Sequence, residues 1–449
     1  MKRLTRRSFL AASAATTAAP ALAQTRQKRP PPEQPQRTDA VIVGAGAAGI
    51  AAARRLAAAG RRFVIVEAAA EVGGRCVTDT ATFGVPFDRG AHWIHMPDIN
   101  PVGKLARETG LDIYPAPPAQ RVRVGRRYAR EGEMEEYLAA VGKANAAIVD
   151  AARKGDVPSA QALPKDLGEW RPTVEFFLGP FGCGKDLAEI SAVDFARSAE
   201  RDVDAFCRQG FGALIAKLAS GLQVQLSNPV TRIDWDRRGV EVATARNRFT
   251  AATAIVTVST NVLLAGKIKF DPDLPKRMLD AAGKLKLGSY DHVALELPGN
   301  PLALRNDELV FEKSSGPRTA SIFANVSGST LCMIDVAGSF GRDLSAKGEK
   351  EMIAFAIDWL GNLYGTDLKA VVKRRHATRW NQEPYVLGAF SVASPGGQPA
   401  RRQLMEPLIN RVFLAGEAMH ETLWGTVGGA WESGERAADA VLRALGVRR

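Results

Sequence analysis

Asp39-Ala40-Val41-Ile42-Val43 is a short apolar run suited to a buried parallel strand, and it leads directly into Gly44-Ala45-Gly46-Ala47-Ala48-Gly49 and an alanine-rich stretch of helical spacing that reaches Ala59. Between a strand and a helix each glycine has a physical reason: Gly44 permits the tight turn, Gly46 lets backbone approach a diphosphate, and Gly49 lets the helix pack closely on the strand, with Ala48 small enough to sit in the same turn. The start of the helix then offers unpaired N–H groups and a positive dipole end to phosphate. A second strand, residues 62–66, ends at Glu67, 18 residues after Gly49, where a carboxylate can accept hydrogen bonds from ribose hydroxyls and repels a 2′-phosphate. The pattern predicts an α/β, Rossmann-like domain that binds a dinucleotide, with FAD and NAD both open at this point.

Composition removes several other classes. With 46% hydrophobic and 24% charged residues the chain is neither disordered nor collagen-like nor a coiled coil, and at roughly 100–200 residues per domain its 449 residues allow two or three domains. The formal charge of +12 invites a nucleic-acid reading, but seven of those charges precede residue 38, from Lys2, Arg3, Arg6, Arg7, Arg26, Lys28, Arg29 and Arg37 against Glu33. The remainder is an ordinary basic surface without a recognition motif, so no nucleic-acid partner is expected. Four cysteines, Cys76, Cys183, Cys207 and Cys332, are too few and too dispersed for a disulfide framework or a zinc site. His92 and His95 lie three apart, but no third ligand accompanies them and no metal is expected.

Residues 1–23 read as an export signal: a basic start, a small-residue stretch from Phe9 to Ala19, and Pro20-Ala21-Leu22-Ala23, whose A-x-A pattern suits cleavage. Thr5-Arg6-Arg7-Ser8-Phe9-Leu10 resembles the twin-arginine signal, the alternative being an ordinary secretory signal with a chance arginine pair. That resemblance implies export of a folded, cofactor-loaded protein by the twin-arginine machinery to a bacterial periplasm or beyond. Residues 24–37, with Pro30, Pro31, Pro32 and Pro35, are expected to form an extended linker, so that the folded body begins near Thr38. No later run reaches the ~18 consecutive apolar residues of a membrane span, and no stable membrane insertion is expected.

Further blocks carry a resemblance. Glu67-Ala68 with Gly73-Gly74-Arg75 extends the glycine fingerprint. Gly90-Ala91-His92-Trp93-Ile94-His95, Ile268-Lys269-Phe270-Asp271-Pro272-Asp273-Leu274-Pro275, and Phe413-Leu414-Ala415-Gly416-Glu417 with Gly425-Thr426-Val427-Gly428-Gly429-Ala430 follow in order. From about residue 38 to 446 the chain resembles the flavin-containing amine oxidase family, its G-A-H-W-I-H block being similar to the polyamine oxidase branch. The resemblance implies FAD, cradled by Gly44, Gly46, Ala48, Gly49, Glu67, Ala68, Gly74, Arg75, Gly90, Ala91, His92 and Trp93. It also implies adenine contacts from the Val230 backbone, Gly416 and Glu417 near the ribityl and diphosphate, and the Val427 N–H at the pyrimidine edge, where the start of a last helix stabilises negative charge. A helix cap or buried pair is the structural alternative for Arg75, Val230 and Glu417.

The family passes a hydride equivalent from an amine C–N bond to flavin N5; water splits the imine, and oxygen returns the flavin with release of hydrogen peroxide. A protonated amine has no lone pair to release, so an apolar, aromatic pocket assists by desolvating the cation. Resemblance places Trp380 beside the flavin and Phe390 on one wall of an aromatic cage, with Thr426 at the other wall and Trp424 as a substitute; for each aromatic the alternative is core filling. Ala389 stands where monoamine oxidases carry the cysteine that binds flavin covalently, which implies noncovalent FAD. His292 stands where the family usually has a lysine holding a water near N5, and the expectation is that its ring holds that water instead. His95 matches the histidine facing the substrate and is assigned amine positioning or proton handling.

The resulting expectation is an FAD domain from residues 38–97, 212–289 and 391–449, interleaved with an α+β substrate domain from 98–211 and 290–390. Its partners would be a small amine, a primary or secondary one and by the G-A-H-W-I-H block a polyamine, together with O2. A flavin dehydrogenase or desaturase using another acceptor, permitted by His292, and a non-catalytic FAD-binding escort are the competing readings.

Overall fold

The computed structural model describes residues 36–117, 120–199, 203–365 and 367–447, so the expected signal and nearly all of the expected linker lie outside the described residues. Residues 35–449 form one compact unit. The first strand starts two residues earlier than the linker boundary suggested: Gln36–Val43 pairs in parallel with Arg248–Val256, beginning with Gln36 opposite Phe249.

An eight-stranded sheet places Gln36–Val43 between Phe63–Val66 and Arg248–Val256, all three parallel. Val412–Leu414 joins the far side of Arg248–Val256, also in parallel. Register aligns Val43 with Val66 and Val256, and Val256 with Leu414. The turns after these strands, at Gly44, Glu67, Thr257 and Ala415, therefore emerge along one edge, the carboxyl edge at which parallel sheets of this kind bind ligands. The first helix, Ala47–Ala58, buries Ala48, Ile50, Ala51, Ala52 and Leu56. The terminal helix, Val427–Ala444, crosses it so closely that a Cβ on Gly434 would stand 2.0 Å from the Ala48 carbonyl oxygen.

The second sheet has seven strands drawn from residues 120–128 and 290–377, antiparallel except where Gln120–Val124 meets Glu308–Glu312. Alternation sends Val293 and Leu295 of the strand Tyr290–Glu296 into a core with the helix Glu349–Tyr364. His292 and Ala294 face the other way, where Ala294 packs with Phe87, Phe206 and Phe323. A small three-stranded sheet sets His95 opposite Asp204. Together these sheets make a mixed α/β fold whose first sheet is Rossmann-like. Among the described residues no helix is long and apolar enough to cross a membrane, and all four cysteines are buried.

Candidate active site

The nucleotide end of the site follows from the first glycine turn. Gly44 has φ +105°, a conformation other residues rarely adopt, and a Cβ there would stand 2.3 Å from Thr257 Oγ1. The helix that follows has Gly46 as N-cap, no side-chain cap and no acidic residue in its first turn, so no side chain caps its leading N–H groups. The Gly73-Gly74 backbone lies against it: the Gly73 N–H donates to the Ala45 carbonyl at 2.9 Å, and Gly74 packs beside Gly46. Glu67 is buried, with Oε2 accepting from the Ala45 N–H at 2.6 Å and Oε1 from the Ala69 N–H at 2.7 Å. Burial raises its pKa, opposed by these backbone donors. A carboxylate offers about four acceptor positions, so capacity remains for a hydroxyl donor. Ala68 is half-buried beside it. The Asn228 N–H donates to the Glu67 carbonyl at 2.8 Å, which brings Val230, two residues on, to the same end. An uncapped helix start and a buried carboxylate with spare acceptor capacity fit a diphosphate and a ribose.

At the other end, Glu417 ties four segments together. Its Oε1 accepts from Arg75 Nη1 at 2.9 Å and the Ser391 N–H at 3.0 Å, and its Oε2 from Ser391 Oγ at 2.6 Å and the Gly425 N–H at 2.9 Å. Burial opposes its ionisation, but Arg75 and Ser391 hold the carboxyl below the ordinary range. Both oxygens are thus taken by protein donors, and the Glu417 side chain acts as a buried tie. Arg75 Nη1 also donates to the Ala389 carbonyl at 2.6 Å. Behind them the fully buried Arg401–Asp194 pair reaches Ser391 Oγ and the Ala418 carbonyl. Gly416, at φ +143°, donates its N–H to Ser433 Oγ on the terminal helix.

The pocket walls differ from expectation at two positions. Thr426 is buried and caps the terminal helix, its hydroxyl accepting from the Gly429 N–H and donating to the Leu423 carbonyl, so its side chain is spent on the helix and builds no wall. It leaves Val427 as the first helical residue. Trp424 is 1% exposed in a hydrophobic core, with Arg401 over its ring at 5.0 Å, and does not substitute for the missing wall. The aromatic that meets Phe390 is Tyr290, 6.1 Å away between centroids and 5.6 Å from His292. Sequence reasoning missed it, although Tyr290 and His292 are two apart in one strand and must share a face. Phe390 fits because Gly184 and Gly425 flank its ring, where a Cβ would stand 3.3 Å and 3.1 Å away.

The histidines divide by role. His92 is buried among Phe206, Phe323 and Trp93, its Nδ1 2.7 Å from Asp88 Oδ2, which makes it part of the packing. His95 is partly exposed, and its Nδ1 lies 2.6 Å from Asp204 Oδ1. Its carbonyl accepts from Asn100, which packs against Gly428 in the first turn of the terminal helix. His292 departs from expectation: Nδ1 lies 2.6 Å from Asp335 Oδ1 and Nε2 3.0 Å from the Gly90 carbonyl oxygen, so both nitrogens are committed to protein partners and neither is left to hold a water. Burial alone would lower its pKa, but the Asp335 charge and hydrogen bond and the Gly90 carbonyl outweigh it and raise the value. Trp380 donates Nε1–H to the Arg89 carbonyl at 2.9 Å, and its backbone N–H to Asp291 Oδ1 at 2.8 Å. Among the described residues no group of three or more His, Cys, Asp or Glu could hold a metal ion.

Residues 47–442 match the family of flavin-containing amine oxidoreductases. The chain belongs to that family. It is 27% identical to polyamine oxidase 4 of Oryza sativa subsp. japonica over 410 residues, 83% of this chain and 82% of that protein. It is 26% identical to lysine-specific histone demethylase 2 of Homo sapiens over 412 residues, 84% of this chain but 50% of that protein. Among solved structures, cyclohexylamine oxidase from Brevibacterium oxydans IH-35A superimposes with a TM-score of 0.76 at 20% identity, covering 91% of this chain and 99% of that one. Putrescine oxidase bound to putrescine gives 0.73 at the same identity and coverage. At that identity the likeness to the two structures is one of fold. As a member of the family, the protein is an FAD-dependent amine oxidoreductase.

Proposed function

We propose that the protein oxidises a primary or secondary amine, foremost a polyamine, at a C–N bond, with O2 as the final acceptor and hydrogen peroxide as product. The observation that carries this reading is His95, a partly exposed histidine anchored by Asp204 beside the start of the terminal helix. Bound FAD supplies the two-electron acceptor.

The chain's own residues would do the rest. The uncapped first helix, with Gly44, Gly46, Ala48 and Gly49, would hold the diphosphate, and Glu67 the ribose hydroxyls, with Ala68, Gly74 and Arg75 closing around them. The Val230 backbone would meet adenine, and the Val427 N–H the pyrimidine edge. Ala389, where monoamine oxidases carry the flavin-binding cysteine, would leave FAD noncovalently bound. Trp380, Phe390 and Tyr290 would desolvate the amine, favouring its neutral, reactive form, while His95 orients it or takes a proton at its ring nitrogen. The division into an FAD domain (38–97, 212–289, 391–449) and a substrate domain (98–211, 290–390) belongs to the same proposal. So does delivery to the periplasm or beyond by a twin-arginine signal in residues 1–23, which would carry the protein across already folded around FAD.

A second reading, a dehydrogenase that passes electrons to another acceptor, draws support from His292, whose nitrogens are both occupied where relatives of this branch have lysine. One anaerobic experiment separates them: mix the yellow protein with spermidine, putrescine or phenethylamine, then admit air. Bleaching followed by peroxide is the expected result; bleaching without rapid reoxidation would favour the dehydrogenase, and no bleaching with any amine would overturn both. His95→Ala should slow bleaching while keeping the yellow colour, and an unchanged rate would remove the histidine from the reaction.

A further inference from the structure

The stretch that leads from Asp88 to His95 is gripped from two sides. On one side its N–H groups donate outward, Arg89 to the Val77 carbonyl at 2.9 Å and Ala91 to the Arg75 carbonyl at 3.0 Å. On the other side its carbonyls accept from two rings: Arg89 from Trp380 Nε1 at 2.9 Å, and Gly90 from His292 Nε2 at 3.0 Å. Gly90 has no room to give, since a Cβ there would stand 2.1 Å from the Arg75 carbonyl oxygen and 3.1 Å from the Trp380 ring.

The two rings are themselves braced. Asp335 lies directly opposite His292 across paired strands. Its Oδ1 holds His292 Nδ1, and its Oδ2 accepts from Tyr290 Oη at 3.0 Å and Ser321 Oγ at 3.2 Å. The Thr378 N–H donates to the His292 carbonyl and the His292 N–H to Thr378 Oγ1, both at 2.9 Å, while Asp291 Oδ1 accepts from Thr378 Oγ1 and the Trp380 N–H. A carbonyl can only accept, and Asp335, which already accepts from two hydroxyls on Oδ2, presents Oδ1 as a further acceptor, so the geometry calls for a proton on each His292 nitrogen. A donor of that kind makes a charge-assisted bond, about twice as strong as a neutral one.

We infer that His292 and Trp380 form a two-jawed clamp on consecutive carbonyls, and that His292 is a positioning residue, fixing through Gly90 the stretch that ends at His95 without itself touching amine or flavin. The lysine-to-histidine change thereby trades a group reaching toward the reaction for one that locks the substrate-facing strand to the second sheet.

The test is hydrogen–deuterium exchange on the full, FAD-loaded protein without any amine, comparing wild type with Trp380→Phe, which removes the Nε1–H donor along with one ring of the indole, and His292→Gln, which removes the charge. Each should speed exchange of the Arg89 and Ala91 amides about tenfold or more, as expected for loss of a buried bond, while Val293 and Leu295 in the sheet keep their protection. A second arm, resting on the amine-oxidising reading, follows anaerobic bleaching by spermidine against pH: His292→Gln should be slower with the profile unchanged in shape. Unchanged exchange at Arg89 and Ala91 in both variants, or loss of one limb of the pH profile in His292→Gln, would overturn the inference. Should His292→Gln fail to fold, Trp380→Phe decides the exchange arm alone. Failure of every amine to bleach the flavin would sink the proposed function and leave the exchange result standing.

Discussion

Gly434→Ala should separate the first and terminal helices, the two proposed to hold the cofactor. The Cβ it adds would stand 2.0 Å from the Ala48 carbonyl oxygen, 2.8 Å from its carbon and 2.9 Å from its Cα. Comfortable contact needs about 3.5 Å, so the helices must part by more than about 1 Å, against backbone that cannot rotate away. Overpacking of this kind costs about 1–3 kcal/mol. Alanine returns about 1 kcal/mol of helix propensity, leaving a net loss of up to about 2 kcal/mol. Because the first turns of both helices are displaced relative to each other, the same strain should appear in cofactor binding as a roughly tenfold weaker FAD dissociation constant, equivalent to about 1.4 kcal/mol. Fluorescence titration of apoprotein with FAD, alongside thermal denaturation, reads both quantities. Gly283→Ala is the matched control: it lies in the helix Lys276–Lys284 with nothing within 4 Å of the added Cβ, and should be neutral or stabilising. Wild-type FAD affinity and melting temperature in Gly434→Ala would refute the view that close helix crossing positions the nucleotide.

Other outcomes follow from single groups. Arg401→Met leaves Asp194 buried without its bidentate partner and should cost about 3–5 kcal/mol in urea denaturation, with part of the loss recovered by adding Asp194→Leu. Glu67→Gln keeps the shape but turns one acceptor oxygen into a donor facing the Ala45 or Ala69 N–H, so apoprotein should bind FAD at least about tenfold more weakly, measured by the same titration. Lys185, whose Nζ donates to the Val392 carbonyl, has its pKa pushed down to about 8 by burial. Between pH ~8 and the unfolded value of ~10.4 the unfolded chain holds a proton the folded one has released, so stability relative to Lys185→Met should rise across that window by on the order of 2–3 kcal/mol. Denaturant midpoints at pH 7 and pH 10 test the sign, and a constant or shrinking advantage for lysine would contradict it.

The strand, glycine turn and helix proposed to hold the nucleotide were legible in the sequence because their determinants are local. A strand, a turn that only glycine can make, a helix without a cap and a carboxylate after the next strand lie within thirty residues, and Gly44, Gly46 and Glu67 stand where their spacing put them. The substrate end was legible in its residue types but not in their roles. Thr426 and Trp424 were the expected second wall, and one became a helix cap while the other sank into the core, because capping and burial depend on what packs around the helix start. The ring that meets Phe390 is that of Tyr290, on the strand face it shares with His292.

His292 shows the division most clearly. Its position in a strand with alternating faces is written in the neighbouring residues. Its partners are not: Asp335 is 43 residues away, and the Gly90 carbonyl 202. The sequence by itself determined the family, the cofactor end and the periodicity of the strands, since these rest on backbone preferences within one or two elements. Only the tertiary structure decided which side chains stay partly exposed, as His95 does, and which are bound up bracing others, as His292 is, since strand pairing and burial choose each hydrogen-bond partner from anywhere along the chain.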